Sequence, residues 1–155
     1  MPKFSTERRV NHSAGNMFAL VADIEKYPEF LPMCEALVAR KRWDEGGLTR
    51  IIANMTVGYG ALRETFTTRV TLDPANLTVH AGNVPEYSSG PFRTIDNTWR
   101  FRDVGGGCDV DFAIAYEFNS FMLQMLVGGL FERVFRRYTQ AFEERAAKIY
   151  GSPTT

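Results

Sequence analysis

The spacing of apolar positions changes period along the chain, and each change predicts an element. Lys3 to Asn11 is a mostly polar alternation with Phe4 and Val10 on one side, which predicts a first strand. Ser13 offers an N-cap hydroxyl to the free amides of a helix start. Met17, Leu20, Val21 and Ile24 follow at i, i+3, i+4 and i+7, one apolar stripe with Phe18 beside it. Tyr27-Pro28 predicts the end of that helix, because a residue before proline is pushed out of the α region. Pro28 suits the first turn of a second short helix, Pro28 to Leu31, which Pro32 closes.

From Cys34 onward the period is two. Glu35 to Asp44 predicts a strand, and Asp44-Glu45-Gly46-Gly47 a hairpin turn. In the next strand Ile51, Ala53, Met55, Val57 and Tyr59 share one face. After Gly60, Leu62, Phe66, Val70 and Leu72 face one way and Arg63, Thr65, Thr67, Arg69 and Thr71 the other. Asp73 to Asn76 turns the chain into a short strand with Leu77, Val79 and Ala81. Gly82 to Phe92 reads as a loop. Ile95, Trp99 and Phe101 then alternate with polar residues. Gly105-Gly106-Gly107 leads to a last strand in which Cys108, Val110, Phe112, Ile114, Tyr116 and Phe118 share a face.

One greasy and one wet face per strand belong to antiparallel sheet covered on one side. The cover is a final helix of about 121 to 149, roughly 43 Å long at 1.5 Å per residue, with Gly151 and Pro153 as its stop. Met122, Met125, Leu126, Leu130, Val134, Tyr138, Phe142, Ala146 and Ile149 keep helical spacing. Its first half is greasy nearly all round, and Gly128-Gly129 weakens it there. The expected fold is therefore α+β and helix-grip: a curved antiparallel seven-stranded sheet around a long C-terminal helix, with two short helices after strand one. A straight helix in a concave sheet leaves a space. Side chains fill it as ordinary core, or a guest does, and the pattern alone leaves both open.

Composition narrows the classes of function. With 155 residues the chain fits one domain. Eighteen basic and eighteen acidic residues cancel, so no global field draws the protein to nucleic acid, and no DNA partner is expected. Cys34 and Cys108 form no CxxC pair and read as two small buried thiols. The first ten residues lack the apolar stretch of a signal peptide, and the run Phe121 to Phe131 falls well short of the ~20 residues that span a bilayer. A cytoplasmic protein is expected, at most peripheral to the inner membrane.

Most catalytic devices lack parts. His12 and His80 are the only histidines, too few for an imidazole metal site or a Ser-His-Asp device. Gly58-Tyr59-Gly60 begins a dinucleotide-type run, but Arg63 stands at its third glycine. No metal and no covalent cofactor is expected. Glu64 and Asn97 interrupt inward faces, where a general base or a head-group ligand sits if there is one. Glu64 with Tyr59 or Tyr116 would be the acid-base pair of a cyclase-like enzyme. Arg40-Lys41-Arg42 and, on the last helix, Arg133, Arg136, Arg137, Arg145 and Lys148 are local basic clusters. Each is either a solvated face, with Glu132, Glu143 and Glu144 as partners, or a contact to an anionic surface, lipid head groups or ribosomal RNA.

The stretch Val21-Ala-Asp-Ile-Glu-Lys-Tyr-Pro-Glu-Phe-Leu-Pro-Met-Cys34 resembles the signature of the coenzyme Q-binding proteins of the START/polyketide-cyclase superfamily. Bacterial ribosome association toxins of the RatA type carry the same stretch. The likeness continues in Trp99-Arg-Phe101, Val110-Asp-Phe112, Tyr116-Glu-Phe118 and Ala141-Phe-Glu-Glu-Arg-Ala146, and covers residues 3 to about 149. Met33 departs from it, standing where many relatives carry tryptophan. The resemblance implies one START-like domain over 1–155 that binds a hydrophobic small molecule, ubiquinone or a similar lipid, without catalysis, as a carrier or chaperone in respiration. It implies an alternative as well, a toxin-like partner of the large ribosomal subunit that blocks subunit association, and more distantly a cyclase-like enzyme.

A quinone with a prenyl tail needs a long apolar tunnel and a few hydrogen-bond donors. The inward faces offer Met55, Val57, Phe66, Trp99, Phe112, Ile114 and Tyr116 from the sheet and Met125, Leu130 and Val134 from the helix. Tyr59, Asn97, Trp99 and Tyr116 are the candidate donors. Phe30, Leu31 and Pro32, at the two-proline bend, are expected to form a lid. The greasy start of the last helix is expected to form the other lip and to touch a membrane surface transiently during loading.

Overall fold

The computed structural model describes residues 3–59, 61–87 and 90–151, with every side chain among them except those of 59, 62, 123 and 126–131. The alternating segments form one antiparallel sheet of seven strands: β1 (Lys3–Val10), β2 (Cys34–Glu45), β3 (Leu48–Tyr59), β4 (Leu62–Asp73), β5 (Thr78–Asn83), β6 (Phe92–Val104) and β7 (Gly107–Phe118). Their order is β1-β7-β6-β5-β4-β3-β2. Strands β2 to β7 are a meander, each paired with the next, while β1 closes against β7. Strands β1 and β2, consecutive in sequence, thus lie at opposite edges. The chain between them crosses the sheet as α1 (Ala14–Ala22) and a 3-10 helix (Ile24–Glu29).

Local chemistry sets these bounds. The Ser13 hydroxyl accepts the Asn16 amide at 3.0 Å, and Asp103 of β6 accepts the Ala14 amide at 2.8 Å, so two of the free amides at the helix start are satisfied. The helix ends earlier than the Tyr27-Pro28 pair predicts. It stops at Ala22, and the second turn is the 3-10 helix with Pro28 inside it, not a helix over Pro28 to Leu31. Asp23 breaks the α-helix, and buried Ile24 and the hydroxyl of Tyr27, which donates to the Val21 carbonyl, fold the next turn back on it. Gly46 and Gly47 both take positive φ, 58° and 85°, as a two-residue hairpin turn requires. At Gly107 a Cβ would sit 2.0 Å from the Val10 carbonyl oxygen, so only glycine lets β1 close on β7 there.

Helix α2 (Phe121–Tyr150) is about 45 Å long and runs unbroken through Gly128-Gly129. Its second half is latched. Arg8 of β1 makes two bonds to Glu143, Arg145 pairs with Glu29 at 3.0 Å, and the Tyr150 hydroxyl donates to the Asn16 carbonyl at 3.0 Å. In its first turns Phe121, Met122 and Met125 are exposed by 80%, 71% and 72%.

Asp109 ties the edge of the sheet together, accepting from Arg9 and Arg102 at 3.0 Å each. These hydrogen bonds, Arg9 first, hold its carboxyl below the ordinary 3.8. A carboxylate with a depressed folded pKa contributes stability that is complete above the unfolded value and lost as pH falls through the folded one. Asp109→Asn is therefore expected to lower the urea midpoint at neutral pH, and the mutant and parent midpoints are expected to converge only below about pH 3.8. Urea titrations across pH check this; a constant gap down to acid would refute the linkage.

Candidate functional site

Register places the inward side chains in rows across the strands. Ile51, Val70, Ala81, Asn97 and Ile114 form one row, flanked by Leu72, Val79, Trp99 and Phe112 on one side and by Ala53 and Thr68 on the other. Ala53 and Ala81 leave a gap where larger neighbours would meet the helix. The result is a cavity of about 130 Å³ between sheet and α2. A water needs roughly 10–15 Å³ on this scale, and apolar cavities of about 150 Å³ stay dry and take up benzene.

Rings bracket the space. At one end Trp99 meets Phe112 and Phe142 edge-on at 4.7 and 5.0 Å. Phe66 and Phe92 meet edge-on at 5.2 Å at the other. The helix contributes Val134, Phe135, Tyr138 and Phe142, and the crossing segment contributes Ile24, Tyr27 and Leu31.

Polar groups in the wall are few. Asn97 donates its amide to the Ala113 carbonyl at 2.9 Å. Among the described residues its carboxamide oxygen, the Thr68 hydroxyl and the Tyr138 hydroxyl carry no hydrogen bond, although all three residues line the hollow. Burial, with Cys34 adding in the same direction, pushes the Tyr27 and Tyr138 phenols upward, so both stay neutral donors. Burial also pushes the Cys34 thiol up to about 11. No carboxylate, histidine, lysine or arginine is among the described lining residues. Nor do three or more His, Cys, Asp or Glu side chains come together among the described residues.

Of the residues singled out from sequence, Leu31, Met55, Val57, Phe66, Asn97, Trp99, Phe112, Ile114 and Val134 line the cavity. Four do not. Tyr116 is buried behind the wall, packed against Phe92, Phe118 and Phe135. Met125 is exposed, because it lies nine residues, and so half a revolution, from Val134 and faces away from the sheet. Phe30 packs on the outer side of Phe142 at 5.1 Å with the Arg145 guanidinium over it, and Pro32 is half-buried outside the wall. The side chains of Tyr59 and Leu130 lie outside those described. Glu64, opposite Val57 in β4, is exposed and absent from the wall, so it is not placed as a base for a guest. Sequence reasoning missed Ala53, Thr68, Ala81, Tyr138 and Phe142 as site residues. The two alanines were visible as small residues within greasy alternations.

Residues 10–143 match the family described as polyketide cyclase / dehydrase and lipid transport. The chain belongs to that family. A ribosome association toxin, RatA, of Vibrio cholerae is 30% identical over 97% of this chain and 99% of its own length. A mitochondrial coenzyme Q-binding protein of Xenopus laevis, COQ10 homolog B, is 27% identical over 96% of this chain, which spans 59% of that relative. The solution structure of an 18 kDa protein of Caulobacter crescentus superposes with a TM-score of 0.80 at 27% identity, covering 98% of this chain and 100% of that one. The family's description, which includes lipid transport, and the helix-grip fold agree with the apolar hollow. Among the described residues no helix is long and apolar enough to cross a membrane.

Proposed function

We propose that the protein binds an isoprenoid quinone, or a lipid of like chemistry, in this cavity and carries or shields it without altering it. The observation that carries the reading is a hollow whose described wall holds no charged side chain, yet presents three free hydrogen-bonding groups, Thr68, Asn97 and Tyr138. A space without acid, base or metal ligand suits holding better than catalysis. A quinone matches it in kind: an apolar ring and tail, with carbonyl oxygens to accept from hydroxyl donors. Each buried methylene stabilises by about 0.8 kcal/mol, so one prenyl unit contributes roughly 3 kcal/mol before ordering costs. The exposed Phe121, Met122 and Met125 give a greasy edge for contact with a membrane surface during loading.

The two tryptophans supply the test, since Trp99 lines the cavity and Trp43 does not. In a Trp43→Phe background, titration with a short-chain ubiquinone is expected to quench Trp99 emission to saturation. Thr68→Val with Tyr138→Phe is expected to weaken binding about tenfold, the effect of a lost buried hydrogen bond or two. Met122→Asp with Met125→Asp is expected to slow uptake from quinone-loaded vesicles while leaving affinity for free quinone unchanged. Quenching that does not saturate, or that ignores Thr68→Val with Tyr138→Phe, would refute the assignment. The relative named for ribosome association favours a second reading, a ribosome-directed interaction protein. Co-sedimentation with large ribosomal subunits tests it, and absence from that fraction would remove it.

A further inference from the structure

The convex face of the sheet carries a cluster that the cavity does not use. Ile52 of β3 lies between Ile51 and Ala53, which face the core, so it faces outward; it is nevertheless only 3% exposed. Its register partners are Lys41 on β2 and Arg69 on β4, and their aliphatic stems flank it while their charged heads reach water. One row away Trp43 pairs with Arg50, and on the other side Val38 pairs with Asn54. Trp43 is 36% and Val38 55% exposed.

Arg40, Lys41, Arg42 and Arg69 are exposed and have no carboxylate partner among the described residues. Arg9, Arg50, Arg63, Arg93 and Arg102 on the strands each pair with Asp or Glu, while among the described residues exposed Arg100 on β6 and Lys3 on β1 do not. The nearby acids are at the hairpin tip, where Glu45 is taken by Arg50 at 2.6 Å and Asp44 accepts the Thr49 hydroxyl at 3.0 Å. A bulge between Ala39 and Lys41 makes Arg40 the extra residue of an edge strand. Bulges and charges on an edge discourage pairing with a second sheet, which explains the run on β2 by itself. It does not explain Arg69, on a strand paired on both sides, nor an exposed tryptophan beside the cations.

We propose that this face, centred on Lys41, Ile52 and Arg69 with Trp43 at its rim, binds single-stranded or loop RNA. Lys41 and Arg69 stand two strand spacings apart, about 10 Å, and present phosphate-binding heads on the convex surface. The Arg69 guanidinium matches phosphate geometry. Trp43 offers a ring on which a base stacks, the combination that single strands use. Stacking on Trp43 needs an unpaired base, so single strands and loops are the target. The Asn54 carboxamide oxygen accepts from Thr67 at 2.7 Å. The surface works independently of the cavity, so its failure leaves the quinone reading untouched, and the reverse holds as well.

Fluorescence anisotropy of a labelled oligouridine, titrated with the full chain over a range of potassium chloride concentrations, tests it. Lys41→Glu with Arg69→Glu is expected to weaken binding at least tenfold, and to flatten the log-log salt slope by about 1.4, since each phosphate contact to a single strand contributes about 0.7. Lys41→Gln with Arg69→Gln repeats the test without adding acid to the sheet. Trp43→Ala is expected to weaken binding about tenfold without changing the slope. Arg133→Glu with Arg137→Glu, on α2, changes neither. No binding at low salt overturns the proposal, as does equal binding by the Lys41 and Arg69 variants. Preference for polyglutamate would assign the face to an acidic protein instead, and preference for anionic vesicles would assign it to lipid.

Discussion

Ala81→Phe is expected to abolish quinone uptake while leaving the fold at least as stable as the parent. Ala81 sits between Val70 and Asn97 in the central inward row and lines the hollow. A benzyl group there has about the bulk of the benzene that cavities of this size admit. Filling a well-packed core costs about 1–3 kcal/mol, but a void of about 130 Å³ absorbs the ring without displacing neighbours and regains contacts that the lining otherwise lacks. Affinity is expected to fall more than a hundredfold, with a melting temperature unchanged or raised by about 2–4 °C for each kcal/mol gained. Ala53→Phe is the companion from β3. Calorimetric titration and thermal unfolding check both, and retained binding in either would show that the guest lies elsewhere.

Phe142→Ala carries the largest expected loss of stability. Its ring is among the largest fully buried side chains and meets Trp99, Tyr27 and Phe30 at 5.0, 5.1 and 5.1 Å. It joins α2 to the sheet and to the crossing segment at once. Truncating a buried phenylalanine costs about 3–5 kcal/mol, or roughly 6–20 °C in melting temperature for a chain of this size. The change also removes the partition between the hollow and a smaller space lined by Met17, Trp99, Phe112 and Phe142. Ile149→Ala, half exposed on the same helix, is expected to shift stability by no more than about 0.5 kcal/mol. Urea unfolding separates the two. Near-equal midpoints would mean that the α2 contact is not what holds the crossing segment.

The strands were legible because alternation leaves a strong signal when one face is wet, as in Arg63 to Leu72. The register and the meander follow from short turns between neighbours. The hollow was half legible. Alternation names which residues face inward, and nine of those singled out do line it. It does not say how far each row lies from the helix. Tyr116 and Ile114 share a face of β7, yet Phe92 and Phe135 screen Tyr116 from the space. Met125 and Val134 are nine residues apart, which puts them on opposite faces of α2, so Met125 meets no wall. Thr68 escaped notice because a lone threonine in a β-branched strand looks like propensity rather than site. The break at Asp23 escaped for a related reason: tertiary packing of Ile24 and Tyr27 outweighed the local proline rule. Charge pairing was legible where it is local: Glu132 stands four residues before Arg136 and engages it. That Arg69 has no carboxylate partner among the described residues was not legible.

Organic extraction of the freshly purified chain, followed by mass spectrometry, bears most directly on whether the hollow is a binding site. The account predicts an isoprenoid quinone or closely related prenyl lipid, near one per chain, in extracts of the parent protein and none in Ala81→Phe prepared alongside. Empty parent extracts, together with no uptake when ubiquinone is supplied, would contradict it.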